Sequence, residues 1–143
     1  MIRKFSVNDL DQIVKLEELT LGSSLGKDML QAELDNELSY IYVYEIEENI
    51  IAYISVMFDG YCGEIYNFCV LPEYQNQGIG SKLLDFIINM LKEKKASTMI
   101  LDVREGNNKA IHVYEKYGFK QISVRKAYYK NNDNALILQK IFD

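Results

Sequence analysis

A mixed α/β fold on a central sheet is the architecture this sequence predicts, and three observations predict it. Short apolar runs rich in β-branched and aromatic residues recur at 40–47 ("YIYVYEIE"), 50–58 ("IIAYISVMF"), 64–71 ("EIYNFCVL") and 98–104 ("TMILDVR"). Runs with helical spacing are interleaved with them, so the order reads strand, two helices, three strands, helix, strand, helix, two strands. The chain has 143 residues, 48% apolar and 26% charged, which suffices to bury a core without staples. No repeat, linker or second domain is visible, and residues 1–143 are expected to form one domain.

The elements follow in order. "MIRKF" reads as a short strand, and Ser6 or Asn8 caps a helix reaching about Leu19, with Leu10, Ile13, Val14 and Leu16 facing inward. "LGSSLGK" at 21–27 is a break before a second helix over 27–38. The next two strands form a hairpin about Glu48 and Asn49, "DGYCG" at 59–63 turns the chain, and the strand beginning at Glu64 ends before Pro72. After "PEYQNQGIG" the spacing of Leu83, Phe86, Ile87, Met90 and Leu91 predicts a helix with one buried stripe. A shorter helix runs from near Asn107 to Gly118, a suitable left-handed cap. Strands near 119–129 and 135–141 then flank the polar turn "KNNDN".

Composition excludes several function classes. A net charge of −5 leaves no general basic surface for a phosphate backbone, so nucleic acid is not the expected partner. Cys62 and Cys69 are too few for a disulfide framework and read as thiols in a reducing compartment. No apolar stretch reaches the ~18 residues of a membrane span, and the first residues lack a signal peptide's apolar block, so a cytoplasmic protein without a membrane partner is expected. No metal is expected either, and the oligomeric state is left open.

The loop before the long helix carries chemistry. A helix N-terminus presents unpaired backbone N–H groups and the positive end of the helix dipole, and Gly78 and Gly80 let an anion approach those amides. "GIGSK" lacks the Gly-Lys-Ser/Thr of a Walker loop, and Leu83 stands where a dinucleotide fingerprint needs its third glycine. A tight strand-to-helix turn would account for the glycines equally well.

Two segments decide between these readings: "FCVLPEYQNQGIGSKLL" at 68–84 and "LDVREGNNKAIHVYEKYGF" at 101–119. Together, at this spacing, they resemble the acetyl-CoA-dependent N-acetyltransferases of the GNAT superfamily. The resemblance runs over most of the chain and is greatest to the bacterial ribosomal-protein-alanine N-acetyltransferases. It departs at two points: Asp102 stands where the family's Leu-Glu-Val-Arg strand has glutamate, and "SSLGK" replaces a Pro-Trp-Ser turn.

The resemblance implies a mostly antiparallel sheet of about six or seven strands with about four helices, whose splayed strands bind acetyl-CoA. It implies a pyrophosphate loop at Gln75, Asn76, Gln77, Gly78, Ile79 and Gly80, continued by Ser81, and a helix carrying Asn107, Ala110 and Tyr114. Phe68, Cys69 and Val70 would offer backbone groups to pantetheine, while Asn67, Tyr128 and Tyr129 would shape the acceptor groove. The acceptor implied is the N-terminal α-amine of a protein or peptide, such as a ribosomal protein. A small amine or a lysine side chain is the alternative acceptor, and a non-catalytic acetyl-CoA-binding module is the alternative function.

Acyl transfer from a thioester needs a neutral amine and a proton for the departing sulfur. An α-amine with a pKa of about 7.7–8.0 is partly neutral near pH 7, so a carboxylate acting through water suffices as base. Asp102 alternates with the apolar residues of its strand and is the first candidate; the bland alternative is a sheet-end carboxylate paired with Arg104 or a backbone amide. Glu64 is the second candidate, against a solvated strand-end charge. Tyr114, a phenol of ordinary pKa about 10, is the candidate acid, against simple aromatic packing. Asn107 serves either as a cap or as a cofactor contact, and His112 reads as a surface residue.

Overall fold

The computed structural model describes residues 1–21, 24, 26–129 and 131–142. Among them seven strands form one sheet: β1 (Ile2–Lys4), β2 (Ser39–Ile46), β3 (Asn49–Phe58), β4 (Cys62–Val70), β5 (Thr98–Arg104), β6 (Lys120–Arg125) and β7 (Ala135–Ile141). Their spatial order is β1-β2-β3-β4-β5-β7-β6. Every neighbouring pair is antiparallel except β4 with β5. Four α-helices complete the described chain: α1 (Leu10–Leu21), α2 (Lys27–Asp35), α3 (Ile79–Glu93) and α4 (Asn108–Lys116). The expected mixed α/β fold, with its seven strands and four helices, is the one found.

Local chemistry sets the boundaries. Ser6 Oγ accepts from the Asn8 amide at 3.3 Å and Asp9 Oδ2 accepts from the Ser6 amide at 2.8 Å, a capping box that starts a short turn leading into α1. Asn36 ends α2 three residues early, its side-chain oxygen taking the Leu38 amide at 2.9 Å. The β2–β3 hairpin turns at Glu47 and Glu48, with φ of 49° and 67°, one residue before the expected position. Two successive positive φ values give the turn whose twist matches the strands. Asp59 Oδ1 accepts from the amides of Tyr61 and Cys62 at 2.8 Å each, so β4 begins at Cys62 and not at Glu64. The expected break at 21–27 falls largely on Gly22, Ser23 and Leu25, which lie outside the described residues.

The sheet carries a core on each face. On one, Leu83, Leu84, Ile87, Ile88 and Leu91 of α3 pack against Ile54 and Val56 of β3 and Met99, Leu101 and Val103 of β5. The stripe is rotated from the expected one: Ile79, Leu84 and Ile88 are buried, while Phe86 is 38% exposed and sets its ring edge against Tyr42, centroids 4.7 Å apart. On the other face Ile13 and Leu16 of α1 and Leu30 of α2 cover Ile41, Val43, Tyr53 and Cys69. The last antiparallel pair departs from expectation too. β6 ends at Arg125, because Ala127 turns at φ 51° and gives its amide to Asn134 Oδ1 at 3.0 Å, and all six β6 residues are exposed.

A carboxyl side chain sits inside the second core. Glu17 is 1% exposed and accepts from the Tyr53 hydroxyl at 2.6 Å and the Ser24 hydroxyl at 2.8 Å. Tyr53→Phe removes one donor and leaves a buried carboxyl group short of a hydrogen-bond partner. A loss of about 1–3 kcal/mol of unfolding free energy is expected, read as a shifted denaturant midpoint with an unchanged slope; an unmoved midpoint would show that Glu17 finds another donor.

Candidate active site

The site is made by a parting of strands. β4 and β5 are in register only over Cys62–Glu64 and Thr98–Ile100, so among the described residues the β5-facing edge of β4 beyond Glu64 has no strand partner. An extended chain carrying amide groups can pair with such an edge. A bulge in β4 adds a second device: Asn67 lies opposite Ser55 and Ile65 opposite Val56, leaving Tyr66 as the extra residue. Cross-strand partners share a face. Phe68 and Val70, opposite Ile54 and Ala52, therefore lie on the α3 side, and so does Ile65 opposite the buried Val56. The extra residue puts Glu64 on the opposite side with Asn67; uninterrupted alternation would have put Glu64 with Phe68.

On the α3 side a cleft of about 380 Å³ opens between β4, the loop before α3, and α4. Phe68, Val70, Gln75, Asn76, Gly78, Gly80, Ser81, Asn107, Ala110 and Tyr114 line it, all of them residues the sequence nominated. Gly78, at φ 81°, is the N-cap of α3 and turns the chain where a side-chain-bearing residue would be strained. Gln75 closes the loop on the strand, donating from Nε2 to the Val70 carbonyl at 2.9 Å.

Three nominated residues do not line this cleft. Ile79 begins the buried ridge of α3 and is 6% exposed. Gln77 turns away to donate to the Glu73 carbonyl at 3.0 Å. The Cys69 side chain, opposite Tyr53, points into the other core, where burial pushes its thiol up to about 11; only its backbone faces the strand gap. Four lining residues were missed: Tyr74, Leu84, Val113 and Lys109.

α4 is pinned at both ends, and this fixes Tyr114. Asn107 Oδ1 accepts from the Ala110 amide at 3.2 Å, capping the N-terminus. At the other end the Phe119 amide donates to the Tyr114 carbonyl at 3.1 Å and the Gly118 amide to the Glu115 carbonyl at 3.0 Å, with Gly118 at φ 92°. The Tyr114 ring meets Phe119 edge-on at 5.7 Å. Its hydroxyl makes no hydrogen bond among the described residues, and burial, helped by Tyr129, pushes the phenol up to about 12. His112, on the same helix, is exposed, as expected.

The opposite side of the sheet holds a second groove, about 650 Å³, that collects Glu64, Asn67, Asp102 and Tyr128. Met29, Ala32 and Glu33 of α2, with Asn36 just after it, form one wall, and Arg125 stands on another. Tyr129 is not on the groove wall but backs Tyr128, ring edge to face at 5.2 Å. Asp102 pairs at 3.5 Å with Arg125, not with Arg104. Arg104 instead binds Asp133 at 2.9 Å and lies over the Tyr129 ring at 4.1 Å. Glu33 accepts from the buried Ser55 hydroxyl, and burial raises its carboxyl above the ordinary range. Glu33 and Arg125 escaped sequence reasoning because only the fold brings α2 and the end of β6 to this groove.

The first cleft fits acetyl-CoA: a strand edge left free among the described residues for an amide chain, a glycine-lined helix N-terminus for phosphate, and no acidic side chain among the described residues of its wall. Comparison with known proteins agrees. Residues 10–119 match the family described as "Acetyltransferase (GNAT) family". The ribosomal protein bS18-alanine N-acetyltransferase of Haemophilus ducreyi is 37% identical over 142 residues, 95% of this chain and 90% of that one. The crystal structure of the ribosomal-protein-S18-alanine N-acetyltransferase from Escherichia coli superposes with a TM-score of 0.92 over 99% of this chain and 92% of that one, and at 24% identity speaks for the fold. A GNAT acetyltransferase from Elizabethkingia anophelis, solved with acetyl-CoA bound, has a TM-score of 0.81 over 99% and 97% of the two chains at 22% identity. With the family matched over residues 10–119, most of the chain, this protein belongs to the GNAT family of acetyltransferases.

Proposed function

We propose that this enzyme transfers an acetyl group from acetyl-CoA to the N-terminal α-amine of a protein or peptide, in the manner of the ribosomal-protein-alanine N-acetyltransferases it resembles. The observation that carries this reading is the path of β4, which aims Phe68 and Val70 at the cofactor cleft and Asn67 at the groove beyond it, its bulge bringing Glu64 to that groove as well. A single strand thus serves donor and acceptor. The 37% identity to a ribosomal-protein-alanine N-acetyltransferase supports a protein N-terminus as the acceptor.

The bound thioester supplies the acetyl group and the leaving sulfur. This chain's residues orient the reactants and manage protons. Asp102, held at 3.5 Å from Arg125, takes the amine's proton through water, and Glu64 on the same groove is the alternative base. Asn67 and Tyr128 shape the groove, with Tyr129 behind. Tyr114 holds its proton toward the position of the sulfur.

Turnover of acetyl-CoA against peptides copying ribosomal-protein N-termini, a lysine peptide blocked at its α-amine, and spermidine tests the acceptor. The peptide with a free α-amine is expected to be preferred, and preference for either of the others would overturn the reading. Asp102→Asn tests the base. It is expected to lower kcat/KM about ten- to a hundredfold near pH 6, with the defect shrinking as pH passes the amine's pKa of about 7.7–8.0, while Asp102→Glu keeps activity. A merely structural Asp102 gives a loss that is flat in pH and a lower thermal midpoint.

A further inference from the structure

We propose that Lys109 is a cofactor-binding residue that supplies a full positive charge to the phosphate groups of coenzyme A, clamping them between α4 and the loop before α3. The inference rests on coenzyme A occupying the cleft described above. Lys109 is the second residue of α4, on the rim of that cleft, and its Nζ reaches across the mouth to Asn76 Oδ1. Asn76 sits at φ 63°, a left-handed conformation that asparagine tolerates, in the middle of the phosphate loop.

Three considerations favour phosphate as the intended partner of this ammonium. Among the described residues lining the cleft, Lys109 carries the only formal charge, in a chain whose net charge is −5. Backbone amides at the α3 N-terminus supply partial charges to a ligand bearing a pyrophosphate and a phosphate monoester, which leaves most of its charge to be met by a cation. A lysine in the first turn of a helix opposes the helix dipole, so helix stability does not explain its place. A local rule broken without local gain marks a position chosen for something else.

The present partner is a neutral amide oxygen. Exchanging it for a phosphate oxygen gives a charge-assisted hydrogen bond, shorter and stronger. It also releases the Asn76 amide, which has N–H donors of its own to turn toward the ligand. The contact that now straps the cleft mouth becomes a clamp with phosphate between its jaws.

Calorimetry of coenzyme A and of 3′-dephospho-coenzyme A, at low and high salt, tests this on the wild type, Lys109→Met and Lys109→Arg. Lys109→Met is expected to weaken coenzyme A about tenfold at low salt, the loss of one charge-assisted contact. The salt dependence should flatten and Lys109→Arg should restore it. In turnover the loss falls on the KM for acetyl-CoA and not on kcat. A defect confined to coenzyme A assigns the lysine to the 3′-phosphate; an equal defect with the dephospho form assigns it to the pyrophosphate. Wild-type affinity and salt dependence in Lys109→Met would overturn the proposal, and Lys109→Gln serves the same purpose if the methionine variant does not fold. Failure of the wild type to bind coenzyme A would instead remove the cleft assignment on which the proposal rests.

Discussion

Replacing Tyr114 with phenylalanine is expected to lower kcat by about a hundred- to ten-thousand-fold, the span of general acid catalysis, with no change in thermal midpoint. The ring edge against Phe119 at 5.7 Å is kept. The hydroxyl it removes has no hydrogen-bond partner among the described residues, so the folded protein loses nothing by it. Burial pushes this phenol up to about 12. A raised pKa keeps the proton on as pH rises, so the donor is intact from pH 6 to about 10 and the wild-type rate should show no alkaline fall from this group. The same shift bears on how the phenol works. An acid near 12 facing a thiol of about 8.5 gives a hydrogen bond to the developing sulfur charge more readily than a whole proton. Single-turnover rates in the variant check this, and an unchanged rate would mean that water protonates the sulfur and that Tyr114 only packs.

Gly80→Asp is expected to separate binding from folding. A Cβ at this position would lie 3.5 Å from Phe68 Cζ and 3.6 Å from Val70 Cγ2, ordinary contact that the fold accommodates. Gly80 is the second residue of α3, where an acidic side chain favours the helix dipole, so stability should hold or rise slightly. Affinity for coenzyme A should fall about a hundredfold or more, because a carboxylate about 4 Å from a phosphate is repelled by about 4 kcal/mol at a surface-like dielectric. Calorimetry and thermal melts on the same sample read both quantities. Unchanged affinity in the folded variant would remove the phosphate from the α3 N-terminus, and a collapsed melting temperature would mean that the glycine serves the turn alone.

Much of this site was legible in the sequence because it is local. The loop from Gln75 to Gly80 and the helix from Asn107 to Gly118 are short segments whose conformations follow from their own glycines and caps, and most of their nominated residues line the cleft. The side chains of Ile79 and Gln77 turn away from the cleft, which membership of a loop does not foretell; Ile79 obeys the apolar ridge of α3 instead. That ridge was itself read a step out. Phe86 fits a stripe with Leu83 and Met90 by spacing alone, but the sheet below α3 reaches far enough to meet Leu84 and Ile88, leaving Phe86 for the flank and Tyr42. Asp102 could be nominated from alternation, whereas its partner could not. Arg104 was the nearest cation in sequence, yet the β6–β7 pairing brings Arg125 to it, while the β5–β7 register sets Arg104 opposite Ala135, beside Asp133. Glu17 illustrates the same limit, since a buried carboxyl group is read from the chain only when its donors, here Tyr53 and Ser24, are known to be near.

The bulge at Tyr66 separates two kinds of information that a sequence carries. Tyr66 itself is half exposed and opposes no residue of β3, so the nature of its side chain contributes little to the packing of the sheet. Its presence as one added link sets the parity of everything before it in β4. Counting from Phe68, an even number of steps returns to the same face, and the spare link makes that count odd for Glu64. The carboxylate's address is thus written in chain length and not in any residue type. A substitution at 66 leaves the address legible, whereas a one-residue deletion there rewrites it for the whole beginning of the strand.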